Sequence, residues 1–411
     1  MGEQMAQSVE RAGSREGMSA TQWLPLVGMT FLAFVFNTSE FMPVGLLTNI
    51  AASFSLSEAA AGIMISVYAW GVMLLSLPLM VAASRFSFKP LLLGVVALFV
   101  AGQVCSAIAP TFELLTAARL LVAAAHAVFW AIAPVMATRI AGTRHAALAL
   151  SMIATGTSIA SVAGMPLGRA IGLALGWRMT FGCVGVIAAV LLVYQAMVFP
   201  QLPAGEPFSL RRLPELLGNR VLVALYVVTM CLATGYYAGY GYIEPFLGQI
   251  GGFDAATTTL LLTVFGAAGF VASFLFARFF DGHRYHFVGA MIVGFTAMLF
   301  CLQAAAVSLA TTVAVCLLWG ICGTAFNIAL QAMLMDAAPE DDATVAMAIY
   351  SGLFNFGIGT GTAIGGVVVS NIALSAIGYA GGAIALVGVV LAIGWLFRLD
   401  RGARAARAER K

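Results

Sequence analysis

Long apolar runs, separated by a few charged, proline or glycine positions, organise nearly the whole chain. They fall near 22–50, 59–84, 90–109, 112–138, 146–173, 178–199, 220–249, 256–279, 287–308, 311–336, 343–370 and 376–397. A helix needs about 20 apolar residues to cross the hydrocarbon of a bilayer. The runs are continuous and do not alternate with period two, so they predict twelve spanning helices and not an outer-membrane barrel. Most breaks between them are very short. The exception is 200–219, rich in proline and arginine, which reads as a cytoplasmic linker between a bundle at 22–199 and another at 220–398. Residues 1–21 and 399–411 read as cytoplasmic tails, the second of them basic.

The two bundles look like copies. Displacing the chain by 197 residues lays TRIAGTRHAALALSMIATG (138–156) on MDAAPEDDATVAMAIYSGL (335–353) without a gap, and Gly164 and Gly168 on Gly361 and Gly365. Paired halves of like orientation predict a central cavity with a substrate near mid-membrane. Composition agrees with this class: 62% of the 411 residues are hydrophobic and 9% charged, against roughly 25% charged in soluble domains. Mean hydropathy is +1.00. Of 20 Lys and Arg residues, all but Arg119, Arg169 and Arg178 fall on one side of the predicted spans. By the positive-inside rule that side is cytoplasmic, with both termini. No signal peptide is expected. A net charge of +3 made of residues at membrane edges implies no nucleic-acid partner. The six cysteines sit in apolar runs and read as small buried helix side chains.

Charged and amide residues inside the spans need a reason, because the hydrocarbon penalises them by several kcal/mol. Counting about 1.5 Å per residue from the inner ends puts Glu40 roughly 25 Å up, His126 roughly 20 Å and Arg119 roughly 30 Å. His126 and Arg119 are seven apart and share a helix face. The three predict one buried cluster able to carry protons; the alternatives are a static ion pair that fixes helix packing, or a Glu40 that snorkels to the outer interface. Tyr236 and Tyr240 share a face with Glu244, and the tyrosines read as cavity-lining hydroxyls and stacking faces. Glu244, followed by Pro245, reads as an outer gate or interfacial anchor. Asn37, Asn327, Gln331 and Asn355 are either helix–helix glue or partners for sugar hydroxyls. Trp130, one turn from His126, is a stacking platform or a packing residue. Gly156, Gly164, Gly168 and Gly172 form a flat stripe bent at Pro166. No GxSxG, Walker loop or HExxH is present, and neither a metal nor a cofactor is implied.

FNTSEFMPVGLL, SVYAW, AHAVFW, SMIATGTSIASVAGMPLGR, GWRMTF, YIEPF and GLFNFGIGTG resemble the major facilitator superfamily. Within it they are most similar to the drug/proton antiporter branch and to bacterial sugar efflux transporters of the SotB type. The resemblance implies an all-α membrane protein of two pseudo-symmetric six-helix halves. It further implies proton coupling through Arg119, and a structural antiporter motif at Gly164, Pro166 and Gly168. Glu40, Asn37 and His126 fall in the strongest matching stretches. The expected function is proton-coupled efflux of small sugars or sugar analogues, of arabinose or thiogalactoside type, by a monomer in the bacterial inner membrane. A multidrug/proton antiporter of the same fold is the alternative.

Overall fold

The computed structural model describes residues 18–83, 85–204, 213–339 and 342–408. The expected N-terminal tail lies almost wholly outside the described residues, as do 205–212 of the expected linker and the last three residues of the basic tail.

The described chain is helical throughout. The first six spans are α1 (Ala20–Phe41), α2 (Glu58–Ala83), α3 (Phe88–Ile108), α4 (Phe112–Ala141), α5 (Thr143–Leu175) and α6 (Trp177–Val198). Span α7 is Arg220–Tyr240. Then comes one helix, Ala255–Ala305, of 51 residues. At 1.5 Å per residue it is roughly 75 Å long, over twice the hydrocarbon thickness. It leaves helical geometry at His283, where φ is −139° and ψ is 40°, and so makes two spans, α8 (255–282) and α9 (284–305). Span α10 is Leu309–Ala337 and α11 is Ala343–Asn371. Span α12 starts at Ile377–Leu391 and runs on through a π turn into Phe397–Ala408. Twelve crossings leave both ends of the chain on one face, here the terminal face.

Local chemistry starts the helices where they start. Thr111, Asp254 and Ser308 accept from the backbone N–H groups of Leu114, Thr257 and Thr311, and Asn219 accepts from Val221, each satisfying a donor the first turn leaves open. Leucine, isoleucine, valine and methionine cover the outer surface, Leu74, Ile108, Val190 and Met197 among the most exposed. That is the side chemistry a lipid-facing wall requires. Cys316 and Cys322 are buried, Cys183 and Cys231 half-buried, and Cys105 and Cys301 exposed, so the expectation of six buried thiols holds for only two. A cysteine is small and apolar enough for either side of a membrane helix.

Glycine lets α1 and α5 approach closely. A Cβ on Gly156, Gly164, Gly168 or Gly172 would run into Thr30, Thr38, Met42 or Leu46 respectively. The second half repeats this: Gly357, Gly361 and Gly365 of α11 meet Ala233, Thr234 and Ala238 of α7. Gly164 and Gly361, and Gly168 and Gly365, are the pairs that the 197-residue displacement superposes. The apolar interior forms two clusters, one within α1–α6 and one centred on α7–α12. Val44, Leu47, Ala51, Ala61, Ile65 and Ala69 of the first half belong to the second cluster. All lie toward the face opposite the termini, so the halves are joined there and part toward the terminal face.

Candidate functional site

Between the parted halves lies a cavity of about 660 Å³, within the usual range for a small-molecule site. Its walls come from α2, α4 and α5 of one half and α10 and α11 of the other. It runs from His126 and Val72 in mid-span to Thr138, Met335 and Ala343, within a turn or so of the helix ends on the terminal face. Much of the wall is apolar, with Met80, Met335, Met347 and Trp130. His126, Ser76, Gln331 and Ser351 supply polar atoms on both sides.

A buried polar cluster sits at the closed head of this cavity. Glu40 ends α1 just before the Met42–Pro43 break, and its Oε2 is 3.7 Å from His126 Nε2. That is too long for a good hydrogen bond, and it leaves the carboxylate and the imidazole facing each other without one. His126 Nδ1 and the Tyr68 hydroxyl have no hydrogen-bond partner among the described residues. The Tyr68 and His126 rings meet edge-on with centroids 5.8 Å apart, and Trp130 is 6.0 Å from His126. Behind them, Phe36 stacks on Phe99 and Phe129, closing the apolar side.

Arg119 is 1% exposed. It does not ion-pair with Glu40 among the described residues. It donates to the Ser39 hydroxyl at 3.0 Å and to the Ser39 carbonyl at 2.8 Å, and its guanidinium lies 4.4 Å from the centre of the Tyr68 ring. Gln103 donates to the same hydroxyl. Arg119 therefore fixes the backbone just before Glu40, while the Glu40 carboxylate points toward His126. A cation over an aromatic face is attracted to it, more strongly when desolvated, which helps to account for a charge held this deep.

The other expected site residues separate into groups. His126, Trp130 and Gln331 line the cavity. Asn37 donates to the Thr157 carbonyl at 3.2 Å and so ties α1 to α5. Asn327 accepts from Tyr350 at 2.8 Å and from Gln331 at 3.1 Å. Asn355 donates to the Ser351 carbonyl of its own helix, leaving its Oδ1 buried and without a partner among the described residues. Tyr236 and Tyr240 are not on the cavity wall. They belong to an aromatic cluster with Phe265 and Trp319, all within 6.4 Å between centroids. Gly323 leaves the room that the Tyr236 ring fills.

Glu244 is at the other end, where the cavity is shut. It is 5% exposed and pairs with Arg169 at 2.8 Å. Thr48 donates to it through its hydroxyl at 2.7 Å and its N–H at 3.2 Å. The pairing of Arg169 was not legible in the sequence: the two residues are 75 positions apart and in different halves, and no local pattern connects them. Tyr68 and Ser39 were missed too, since a tyrosine and a serine in a span carry no signal of their own.

A membrane-embedded helical bundle whose two like halves enclose a cavity, headed by titratable groups and open to one face, has the architecture of a transporter. The sequence matches the Major Facilitator Superfamily profile over residues 29–254 and again over 225–411, and the chain belongs to that family. It is 38% identical over 388 residues to a probable sugar efflux transporter of Mannheimia succiniciproducens, covering 94% of this chain and 98% of that one. Among solved structures it is similar to a bacterial homolog of the human lysosomal transporter Spinster in an inward-facing, unoccupied conformation. There the TM-score is 0.68 at 15% identity, over 94% of this chain and 98% of that one. It is also similar to a POT family transporter in complex with 5-aminolevulinic acid, with a TM-score of 0.70 at 11% identity, over 91% of this chain and 96% of that one. At these identities the structural likeness speaks for the fold alone.

Proposed function

We propose that the protein exports small sugars or sugar analogues in exchange for protons, by alternating access across the bacterial inner membrane. The observation that carries this reading is the Glu40–His126 pair at the head of the cavity. It puts two groups able to change protonation where a substrate would arrive. The relative in Mannheimia succiniciproducens supports sugar as the cargo. The basic loops at Arg85, Lys89, Arg139 and Arg144 lie at the face where the cavity ends, so the positive-inside rule makes that face cytoplasmic and this state inward-facing.

Sugar enters from the cytoplasm, stacks on Trp130 and hydrogen-bonds to His126 and Gln331. Its arrival displaces a proton held at Glu40 or His126, which leaves inward. The halves, 22–199 and 220–398, then rock against each other, and the sugar leaves outward. A proton from outside re-occupies the pair and permits the return. Coupling needs only that sugar and proton bias the two states differently. Asn37, Tyr236, Tyr240, Asn327 and Asn355 belong to this account as residues that shape the site, reaching the sugar in other states of the cycle. Gly164, Pro166 and Gly168 keep α5 sealed on α1, and Glu244 serves the outer gate. The protein works as a monomer.

The apolar, methionine-bearing part of the wall favours one second reading, a multidrug/proton antiporter, because flexible thioethers adapt to varied apolar ligands. Lightly buffered detergent micelles of the protein separate the two. On the sugar reading, adding isopropyl thiogalactoside or arabinose releases protons into the medium, and Glu40→Gln abolishes the release. Proton release on adding lipophilic cations, with none for either sugar, would transfer the assignment to drugs.

A further inference from the structure

Besides two isolated hydrogen bonds, from Trp70 to Thr360 at 3.2 Å and from Gln249 to Glu58 at 2.7 Å, the closed end of the molecule is held by two kinds of contact. One kind is apolar: Tyr242 packs against Gly62 and Gly366, and Trp70 against Gly359. Such packing is non-directional and can be traded for packing elsewhere. The other kind is a single buried ion pair with a defined set of partners. Arg169 of α5 donates to Glu244 just beyond α7, and through Nε to Thr259 of α8 at 3.1 Å. Thr48, on the short helix after α1, gives Glu244 two more hydrogen bonds. Every one of these bonds crosses between the halves.

The partners are unequally divided. Arg169 also donates to the Gly45 carbonyl, in its own half. All three hydrogen bonds that Glu244 receives come from the other half. When the halves part at this end, Arg169 keeps one partner and Glu244 keeps none of these three. A buried charge stripped of its partners is strongly disfavoured unless water replaces them. Intermediate separations, too narrow for water and too wide for the bonds, are therefore the least stable. The interaction is all-or-none in a way the glycine contacts are not.

We infer that the Arg169–Glu244 pair, with Thr48 and Thr259, is the latch of this gate, and that its integrity sets how often the cavity opens to the opposite face. The inference rests on the alternating-access reading and deepens the place of Glu244 in it by naming the cation that holds it. Arg169 is a positioning residue in this role and touches no substrate.

Two reporter cysteines test it in proteoliposomes, with labelling of the native cysteines subtracted. Ala51→Cys lies in the seam between the halves at the latched end, 2% exposed. Ala348→Cys lies on the cavity wall. A membrane-impermeant maleimide is applied from each side. Glu244→Gln should speed labelling of Ala51→Cys by roughly tenfold or more and slow labelling of Ala348→Cys. The charge-swapped pair Arg169→Glu/Glu244→Arg should restore part of both rates, because the Thr48 N–H and the Gly45 carbonyl then face the wrong partner. Thr259→Val, a milder loss, should shift both in the same directions by less, and it keeps the test open if Glu244→Gln folds poorly. Both reporters speeding up together would mean a loosened fold, and neither changing would mean static packing; either overturns the latch. If Ala348→Cys labels from the outside in the wild type, the assigned orientation is wrong while the reciprocal response still tests the latch. If no substrate is transported, the reporters respond all the same.

Discussion

At the scale of single residues, the molecule divides its buried charges by task. Arg119 is engaged by Ser39 and by the face of Tyr68, so it holds the end of α1 in place and leaves the Glu40 carboxylate facing His126. Counting residues from the helix ends was enough to put Glu40, His126 and Arg119 at one depth. It could not say which of them pair, because that depends on how α1 and α4 rotate about their axes. The amides show the same limit. Asn37 and Asn327 bind protein groups in this state, and a polar side chain in a span looks alike in sequence whether it serves packing or a ligand. Trp130 is a sharper case, since it lies on the cavity wall beside His126. Trp130→Ala should raise the KM for sugar efflux roughly three- to tenfold, the range expected for one lost aromatic contact. A KM unchanged, measured by initial rates in vesicles, would confine Trp130 to packing.

At the scale of elements, glycine spacing carries the information. The stripe on α5 was visible as a pattern, and the structure puts α1 and the turn after it against the stripe, one residue for each glycine. The repeat on α11 and α7 gives the same crossing in the second half. Gly164→Val would drive a branched side chain into Thr38, and overpacking of this kind costs about 1–3 kcal/mol. Thermal unfolding in detergent should show that loss, whereas Gly94→Ala, with nothing within 4 Å of its added Cβ, should show none. The boundary between α8 and α9 was legible from the charged and polar residues near 281–286, but its form was not. Helical geometry continues to either side of His283, which hydropathy cannot foresee because it sees only that the apolar run is interrupted.

At the scale of the whole molecule, fold class and membrane residence followed from composition and the run pattern alone, since almost no other architecture tolerates so few charges. The state of the molecule did not. Which end is shut depends on contacts between halves, such as Arg169 with Glu244 and Trp70 with Thr360. A sequence compatible with two states describes both. Tyr236 and Tyr240, expected on the cavity wall, are in an aromatic cluster of the second half, packed on Phe265 and Trp319.

Proton-driven sugar export through Glu40 can be read as a flux. Proteoliposomes are preloaded with labelled arabinose or an alkyl thiogalactoside, an inward proton gradient is imposed, and efflux is compared between wild type and Glu40→Gln. The gradient should accelerate efflux from wild-type vesicles and have no effect on the mutant, which still exchanges labelled for unlabelled sugar. Gradient-driven efflux by Glu40→Gln at the wild-type rate, or no sugar movement from wild-type vesicles under any gradient, would contradict it.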